Sequence, residues 1–161
     1  MAPAIRPFDP GDAAGIVALI LQIQREEFGF TITAGDQPDL LDIPGFYRDG
    51  RGEFWVAAEG DRIVGTVALK DIGGNAGALR KMFVAEDHRG GTHGVAQALL
   101  DKLLAHARSV GLRTIYLGTT ERFRAAHRFY EKNGFRLVGD ATLPASFPRM
   151  KVDTRFYRLD L

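Results

Sequence analysis

The chain has 161 residues, of which 45% are hydrophobic and 25% charged, so it suits one domain with a sizeable core and is not intrinsically disordered. Twenty-one Lys and Arg residues against 20 Asp and Glu residues leave a net charge of +1, without the basic excess typical of nucleic-acid binding. The absence of cysteine excludes a disulfide framework, a thiolate nucleophile and a cysteine-ligated metal.

Location and partners follow from the same reading. No apolar stretch approaches the roughly 20 residues that cross a bilayer, and residues 1–6 lack the plan of a secretory signal. The four histidines form no tight ligand cluster. We therefore expect a single domain over residues 1–161, cytoplasmic, without a metal, nucleic-acid or membrane partner, and either monomeric or homodimeric.

The first half of the chain predicts one long helix and several strands. The segment Asp9-Pro10-Gly11-Asp12 offers N-cap chemistry, and apolar residues from Ile16 to Ile23 then recur at helical spacing. Turns near Gly60 and Gly74 separate three β-rich runs, which predicts an antiparallel meander. The expected elements are a strand at 4–7, helices at 13–28 and 38–48, and strands at 54–58, 63–69 and 76–84.

The second half predicts a strand–helix–strand crossover. Its elements are helices at 95–110 and 124–132 and strands at 114–117, 135–138 and 154–159. A strand, helix and strand over residues 76–117 imply a right-handed connection between parallel neighbours. The predicted fold class is therefore α/β: a mixed, mostly antiparallel central sheet with helices on both faces and one parallel crossover.

A glycine-rich loop, Arg89-Gly90-Gly91-Thr92-His93-Gly94, precedes the long helix of the second half. Glycine allows consecutive amides to converge, and a helix N-terminus adds unpaired N–H groups, which together suit a phosphate or pyrophosphate. No Lys completes a Walker motif, and the dinucleotide fingerprint matches only in part. A plain connection that only permits a tight turn is the alternative.

A second motif lies between Thr119 and Phe135. On its helix Ala126, Phe129 and Tyr130 share one face, which predicts a slot beside the core with the polar tip of Tyr130 in it. The alternative is that both aromatics are core residues and that Asn133-Gly134 only ends the helix.

Together the two motifs resemble the Gcn5-related N-acetyltransferase (GNAT) superfamily, in order and about 30 residues apart. The resemblance implies acetyl-coenzyme A as donor. It assigns the catalytic general acid to Tyr130 and implies a wedge between the strand at 76–84 and its parallel neighbour. The cofactor-binding residues that it implies are Met82, Phe83, Val84, Arg89, Gly90, Gly91, Thr92, His93, Gly94, Val95, Ala96 and Phe129.

The implied function is direct transfer of an acetyl group to a primary amine of a small molecule or peptide. Glu121, Asp71 or a water chain remain open as the general base. Two rivals also remain: a catalytically silent module that binds acyl-coenzyme A as a sensor or partner domain, and a nucleotide-binding regulator.

Two departures from the family pattern stand out. The phosphate loop is two residues longer than the usual Arg-Gly-x-Gly, because Gly91-Thr92-His93 separate Arg89-Gly90 from Gly94. Phe123 stands where the second motif commonly has Asn, so a polar contact to pantetheine is missing or comes from elsewhere.

The sequence leaves alternatives open for the residues that would bind the acceptor amine. The acids among them either attract a cationic amine or cap turns and helices, and the aromatics either line a pocket or fill the core. The cations are interpreted as solvated or strand-edge charges, and the histidines that flank the loop as exposed. These residues are Asp36, Asp39 and Asp42; Tyr47, Trp55 and Phe147; Arg80, Lys81 and Lys151; and His88 and His93.

Overall fold

The structure, a computed structural model, describes residues 2–91 and 94–161. Its strands form one seven-stranded mixed sheet in the order β1-β2-β3-β4-β5-β7-β6. The strands are β1 (Ala4–Pro7), β2 (Glu53–Glu59), β3 (Arg62–Gly73), β4 (Ala76–Val84), β5 (Thr114–Thr119), β6 (Arg136–Val138) and β7 (Arg155–Asp160).

Five α-helices surround this sheet in the described residues. They are α1 (Ala13–Leu21), α2 (Pro38–Leu41), α3 (Ile43–Tyr47), α4 (Val95–Ser109) and α5 (Arg124–Lys132). Within residues 2–91 and 94–161, none of the helices combines the length and apolarity that crossing a bilayer requires.

The centre of the sheet is covered on both faces. Strands with one solvated face alternate between buried and exposed residues, but Phe54 to Ala58 in β2 and Ile63 to Leu69 in β3 are buried throughout. Helices α1 and α4 both pack against β3 and β4. The predicted fold class, a mixed sheet with helices on both faces and one parallel crossover, is confirmed.

Two predicted helices differ in detail from the observed ones. The helix expected over 13–28 is α-helical only to Leu21 and continues as a π-helical turn over Gln22–Glu27. The helix expected over 38–48 is broken at Asp42, whose side chain accepts a hydrogen bond from the Gly45 amide. Pro44 explains the break, because it has no N–H to continue a helix and its ring crowds the preceding turn.

The strands β4 and β5 are parallel neighbours that diverge after a short paired stretch. They pair only from Ala76–Thr114 to Ala78–Tyr116, although β4 runs on to Val84 and β5 to Thr119. The result is a wedge, here called the splay, between the two strand ends. Its β4 side carries backbone groups without a neighbouring strand.

A bulge shapes the β4 side of the splay. Thr66 pairs with Phe83 and Ala68 with Arg80, so two residues of β4 stand opposite one residue of β3. The extra residue is accommodated at Lys81, which has a φ of 53°, and its carbonyl accepts a hydrogen bond from the Thr66 hydroxyl at 2.7 Å. Such bulges bend a strand and redirect its side chains.

Lys81 is buried and the Arg80 side chain is only 11% exposed, so the expectation that Arg80 and Lys81 are solvated or edge charges is wrong. The Lys81 ammonium donates to the Gln37 side-chain oxygen at 2.6 Å and lies 3.6 Å from the Asp39 carboxylate. Arg80 donates to the Tyr47 hydroxyl at 3.1 Å and to the Pro148 carbonyl at 2.8 Å. The bulge directs both cations inward, where these acceptors offset their loss of water.

This burial predicts a pH-dependent stability. Burial lowers the pKa of Lys81 from 10.5 to about 8, so between those values the unfolded chain binds the extra proton and stability rises with pH. Relative to a Lys81→Met variant, the wild type should gain about 2 kcal/mol in free energy of unfolding between pH 8 and pH 10. Urea titrations at both pH values measure the difference, and parallel behaviour of the two proteins would refute it.

Candidate functional site

A cavity of about 840 Å³ opens at the splay. Its walls come from the end of the first helical segment (α1, the π-helical turn that follows it, and Phe28), the tip of β4, the loop before α4, the first turn of α4, and α5. Ligand sites in proteins have volumes of about 300–1,000 Å³ and are mostly apolar with a few polar groups. This cavity therefore has the size and the composition of a binding site.

The glycine loop and the start of α4 form one end of the cavity. Gly90 and Gly94 have φ values of 99° and 63°, a region that residues with a side chain rarely adopt. The first hydrogen bond of α4 runs from the Ala98 amide to the Gly94 carbonyl. The amides of residues 95–97 consequently lack an acceptor within the helix and carry its positive end.

Charge in the cavity is concentrated, although the chain as a whole is nearly neutral. Arg89, Arg122, Arg124 and Lys132 line it together with a single acid, Asp101. An excess of cations around a partly enclosed cleft attracts anionic ligands. Sequence reasoning missed the cations other than Arg89, because their excess appears only when α5 is folded against the loop.

Arg89 itself is engaged by the protein. Its guanidinium donates to both carboxylate oxygens of Glu27, at 2.6 and 2.9 Å, and its Nε donates to the Val84 carbonyl at 2.9 Å. The side chain thus ties the loop to the end of the first helical segment and to β4. These three hydrogen bonds leave two of the five guanidinium N–H groups for the phosphate contact expected from Arg89.

Tyr130, on α5, lines the same cavity. Its ring is buried against Phe129, Phe135 and Tyr157, and burial raises the pKa of Tyr130 well above its ordinary value of 10.0. No residue within the described ranges hydrogen-bonds to this hydroxyl, yet no buried side-chain oxygen in those ranges lacks a partner. The hydroxyl oxygen is therefore exposed in the cavity, protonated and free to donate.

The edge of β4 offers a backbone donor. The Ala85 amide donates to the Val64 carbonyl of β3, and strand alternation then directs the Val84 amide to the opposite side, into the splay. The Val84 carbonyl is occupied by Arg89, so the amide is the group left for an incoming ligand.

Phe123 belongs to a cluster of four aromatic rings, here called the aromatic roof, formed by Phe28, Phe30, Phe83 and Phe123. Its ring contacts Phe28 at a centroid distance of 4.4 Å and lies 6.5 Å from Phe83 and 6.1 Å from Phe30. The roof joins the end of the first helical segment to β4 and to the start of α5 across the cavity. Phe123, at the position where the family pattern commonly has Asn, thus makes apolar contacts.

Most residues expected at the site lie together. Val95 differs, since its side chain packs towards Gly65 in β3 and only its amide faces the loop. Thr92 and His93 lie outside the described residues. The expected residues that line the cavity are Met82, Phe83, Val84, Arg89, Gly90, Gly91, Gly94, Ala96, Phe129 and Tyr130.

The acids proposed for the acceptor side have structural partners. Asp36 accepts hydrogen bonds from the amide and hydroxyl of Thr33, and Asp42 caps α3. Asp39 is buried and accepts from the Tyr47 hydroxyl. Turn and cap chemistry therefore accounts for two of the three, and Asp39 is the counter-ion of the buried cations.

The aromatics of that list and His88 are not among the residues that line the cavity. Tyr47, Trp55 and Phe147 are core residues, at 0%, 4% and 5% exposure. His88 is also buried, not exposed as expected, and its ring nitrogens lie within 2.9 Å of the carboxylates of Glu59 and Asp87. These hydrogen bonds raise the pKa of His88.

The general-base candidates from the sequence are poorly placed. Asp71 is bound to the Arg51 guanidinium at 3.0 Å and pairs with Gly77, in the part of β4 that is still joined to β5. Glu121 is exposed to solvent. The described part of the chain also brings together no group of three or more His, Asp or Glu side chains suited to a metal ion.

Comparison with curated proteins finds N-acetylaspartate synthetases and N-acetyltransferases of family 8. The chain is 36% identical over 126 residues to the N-acetylaspartate synthetase of Danio rerio, covering 75% of this chain and 44% of that protein. It is 35% identical over 108 residues to the probable N-acetyltransferase family 8 member 5 of Mus musculus, covering 64% of this chain and 47% of that protein. The chain thus spans less than half the length of these relatives.

Comparison with solved structures gives the same fold over the whole chain. An acetyltransferase of the GNAT family from Staphylococcus aureus Mu50 superposes with a TM-score of 0.94 at 38% identity, covering 99% of both chains. A PaiA N-acetyltransferase from Thermoplasma acidophilum, in complex with coenzyme A, shares the fold with a TM-score of 0.75 at 13% identity, covering 100% of both chains. The model of the acetyltransferase (GNAT) family matches residues 17–135, and the chain belongs to this family.

Proposed function

We propose that the protein transfers an acetyl group from acetyl-coenzyme A to a primary amine of a small molecule or peptide. The observation that carries the proposal is the free, protonated Tyr130 hydroxyl in the same cavity as the glycine loop and the α4 N-terminus. The loop and the α4 N-terminus suit a diphosphate, and the Tyr130 hydroxyl suits a leaving group that needs a proton.

The residues present fit acetyl-coenzyme A. The unpaired amides at residues 95–97 and the surrounding cations suit the diphosphate. The Val84 amide suits a hydrogen bond to the pantetheine arm or to the thioester carbonyl. The aromatic roof of Phe28, Phe30, Phe83 and Phe123 suits the apolar parts of the arm.

The protein's own groups each have one role in the reaction. When bound, the cosubstrate supplies a thioester that a free amine attacks, with a thiolate as leaving group. The Tyr130 hydroxyl donates its proton to the departing sulfur, and its raised pKa keeps that proton in place until the charge develops. A backbone amide at the β4 edge stabilises charge on the carbonyl oxygen. No nucleophilic cysteine is needed.

The relatives suggest where to begin with acceptors. Several bear the name N-acetylaspartate synthetase, and a fold neighbour is named N-acetylglutamate synthase and holds N-acetyl-glutamate, at 17% identity. Free amino acids are therefore the first amines to assay, followed by polyamines, aminoglycosides and peptide N-termini.

Tyr130→Phe tests the leaving-group role. Loss of the hydroxyl removes the proton donor but leaves the ring packing, so kcat should fall on the order of 10²-fold, with the coenzyme A dissociation constant within twofold of wild type. Thiol release measures kcat, and calorimetry measures binding. Tyr116→Phe, a change on β5 outside the cavity, is the control and should leave both values unchanged.

The same assays distinguish the rival function. Tight coenzyme A binding by the wild type without turnover on any amine would identify an acyl-coenzyme A sensor, which the loss of the Asn contact at Phe123 favours. Equal activity of wild type and Tyr130→Phe would remove Tyr130 from the acid role while leaving the transferase intact.

Gly94→Ala tests the phosphate loop. Gly94 and Gly111 lie at opposite ends of α4, both with positive φ, at 63° and 84°, and with open space where a Cβ would stand. Each substitution should cost about 1–2 kcal/mol in free energy of unfolding. Only Gly94→Ala should weaken coenzyme A binding, by about tenfold or more, because its loop amides move. Equal affinity of the two variants would mean that the phosphates bind elsewhere.

A further inference from the structure

A carboxylate outside the sequence motifs lies at the splay. Asp153 precedes β7, and its Oδ2 lies over Gly118 of β5, so close that a Cβ on Gly118 would come within 2.7 Å of it. Gly118 stands two residues after Tyr116, the last residue of β5 that pairs with β4. The missing side chain at Gly118 makes the space in which this carboxylate sits.

Among the described residues, hydrogen-bond partners engage one of the two carboxylate oxygens of Asp153. Oδ2 accepts a hydrogen bond from the Met150 amide at 2.9 Å. Oδ1 has no hydrogen-bond partner within residues 2–91 and 94–161, and no buried side-chain oxygen in those ranges lacks one. Oδ1 is therefore accessible to solvent and free to accept a proton.

Asp153 lies between Gly118 of β5 and the cations of β4, beyond the residues that line the cavity. The cavity reaches Met82 on β4, and the residues before it, Arg80 and Lys81, are the charged groups that act on Asp153. Met150 contacts both groups, because its sulfur lies 3.6 Å from the Lys81 ammonium and its amide donates to Asp153. Asp153 is not among the residues that line the cavity, but a thioester held along Val84 and Met82 would point towards the part of the splay that this carboxylate occupies.

The electrostatic surroundings suit a base more than an ion pair. Within 4.0 Å, Arg80 and Lys81 pair with Asp39 and not with Asp153. Lys151, on the same loop, is exposed. Burial outweighs the effect of the two cations and raises the pKa of Asp153. A carboxylate with a raised pKa is a stronger base, and so accepts a proton from an ammonium group more readily.

Building on the proposed acetyl transfer, we propose that Asp153 is the general base that deprotonates the acceptor amine. Oδ1 takes one proton from the acceptor ammonium, and the nitrogen lone pair forms the C–N bond as the C–S bond breaks. The Tyr130 proton goes to the sulfur, and the remaining surplus proton on nitrogen returns to the tyrosinate. Asp153 releases its proton to solvent through Oδ1.

The test is a pH series of thiol-release kinetics with an amine that the wild type acetylates. Asp153→Asn should lower kcat on the order of 10²-fold or more while coenzyme A affinity stays within twofold. Its remaining activity should rise with pH, because only amine that is already deprotonated reacts. Asp153→Glu should recover part of kcat and keep the acidic limb of the profile.

Two comparison variants complete the design. Asp140→Asn removes an exposed carboxylate, paired with Arg149 in the segment between β6 and β7, and should behave as wild type. Glu121→Gln removes the base candidate named from the sequence and should retain activity and pH profile.

The outcomes separate the two proposals. Near-wild-type kcat and an unchanged pH profile in Asp153→Asn would overturn the role of Asp153 and leave the transferase standing. A large loss in Glu121→Gln with a mild one in Asp153→Asn would transfer the role to Glu121. If the wild type turns over no amine, both proposals fall. Circular dichroism and coenzyme A binding show whether Asp153→Asn folds, and Asp153→Glu carries the test if it does not.

Discussion

The parting of β4 and β5 is the constraint on which the rest of the site depends. Backbone N–H and C=O groups that leave water need hydrogen-bond partners, and a strand edge inside a fold exposes a row of them. The bulge at Lys81 and the end of pairing at Ala78 create such an edge in the middle of the sheet. A ligand with amides of its own, such as pantetheine, can take the place of the missing strand.

The surroundings of this edge are built from distant segments. The end of the first helical segment contributes Phe28 and Glu27, and the start of α5 contributes Phe123 and Arg122. Arg122 also donates to the Phe28 carbonyl at 2.8 Å, so the two sides of the cavity are held together before a ligand arrives. Contacts of this kind reduce the ordering that binding must otherwise supply.

The bulge in β4 beside the splay places two cations in the interior of the protein. Lys81 and Arg80 point inward because the bulge interrupts strand alternation, and Asp39, Gln37 and Tyr47 serve as their partners. Removing one partner from such a group is costly, since the other charge stays buried. The same cations lie near Asp153, which links the stability of the bulge to the chemistry proposed for that carboxylate.

What the sequence by itself determined was local. Apolar periodicity, turn residues and glycine spacing predicted the order of strands and helices, the mixed sheet and the two motifs, because these depend on neighbours a few residues apart. These rules did not predict the helix break before Pro44 or the π-helical turn at residues 22–27. The inward course of Arg80 and Lys81, the engagement of Arg89 by Glu27 and the place of Asp153 over Gly118 were decided only by the tertiary structure. Each depends on groups that lie far apart along the chain, and no local pattern records which of them will meet.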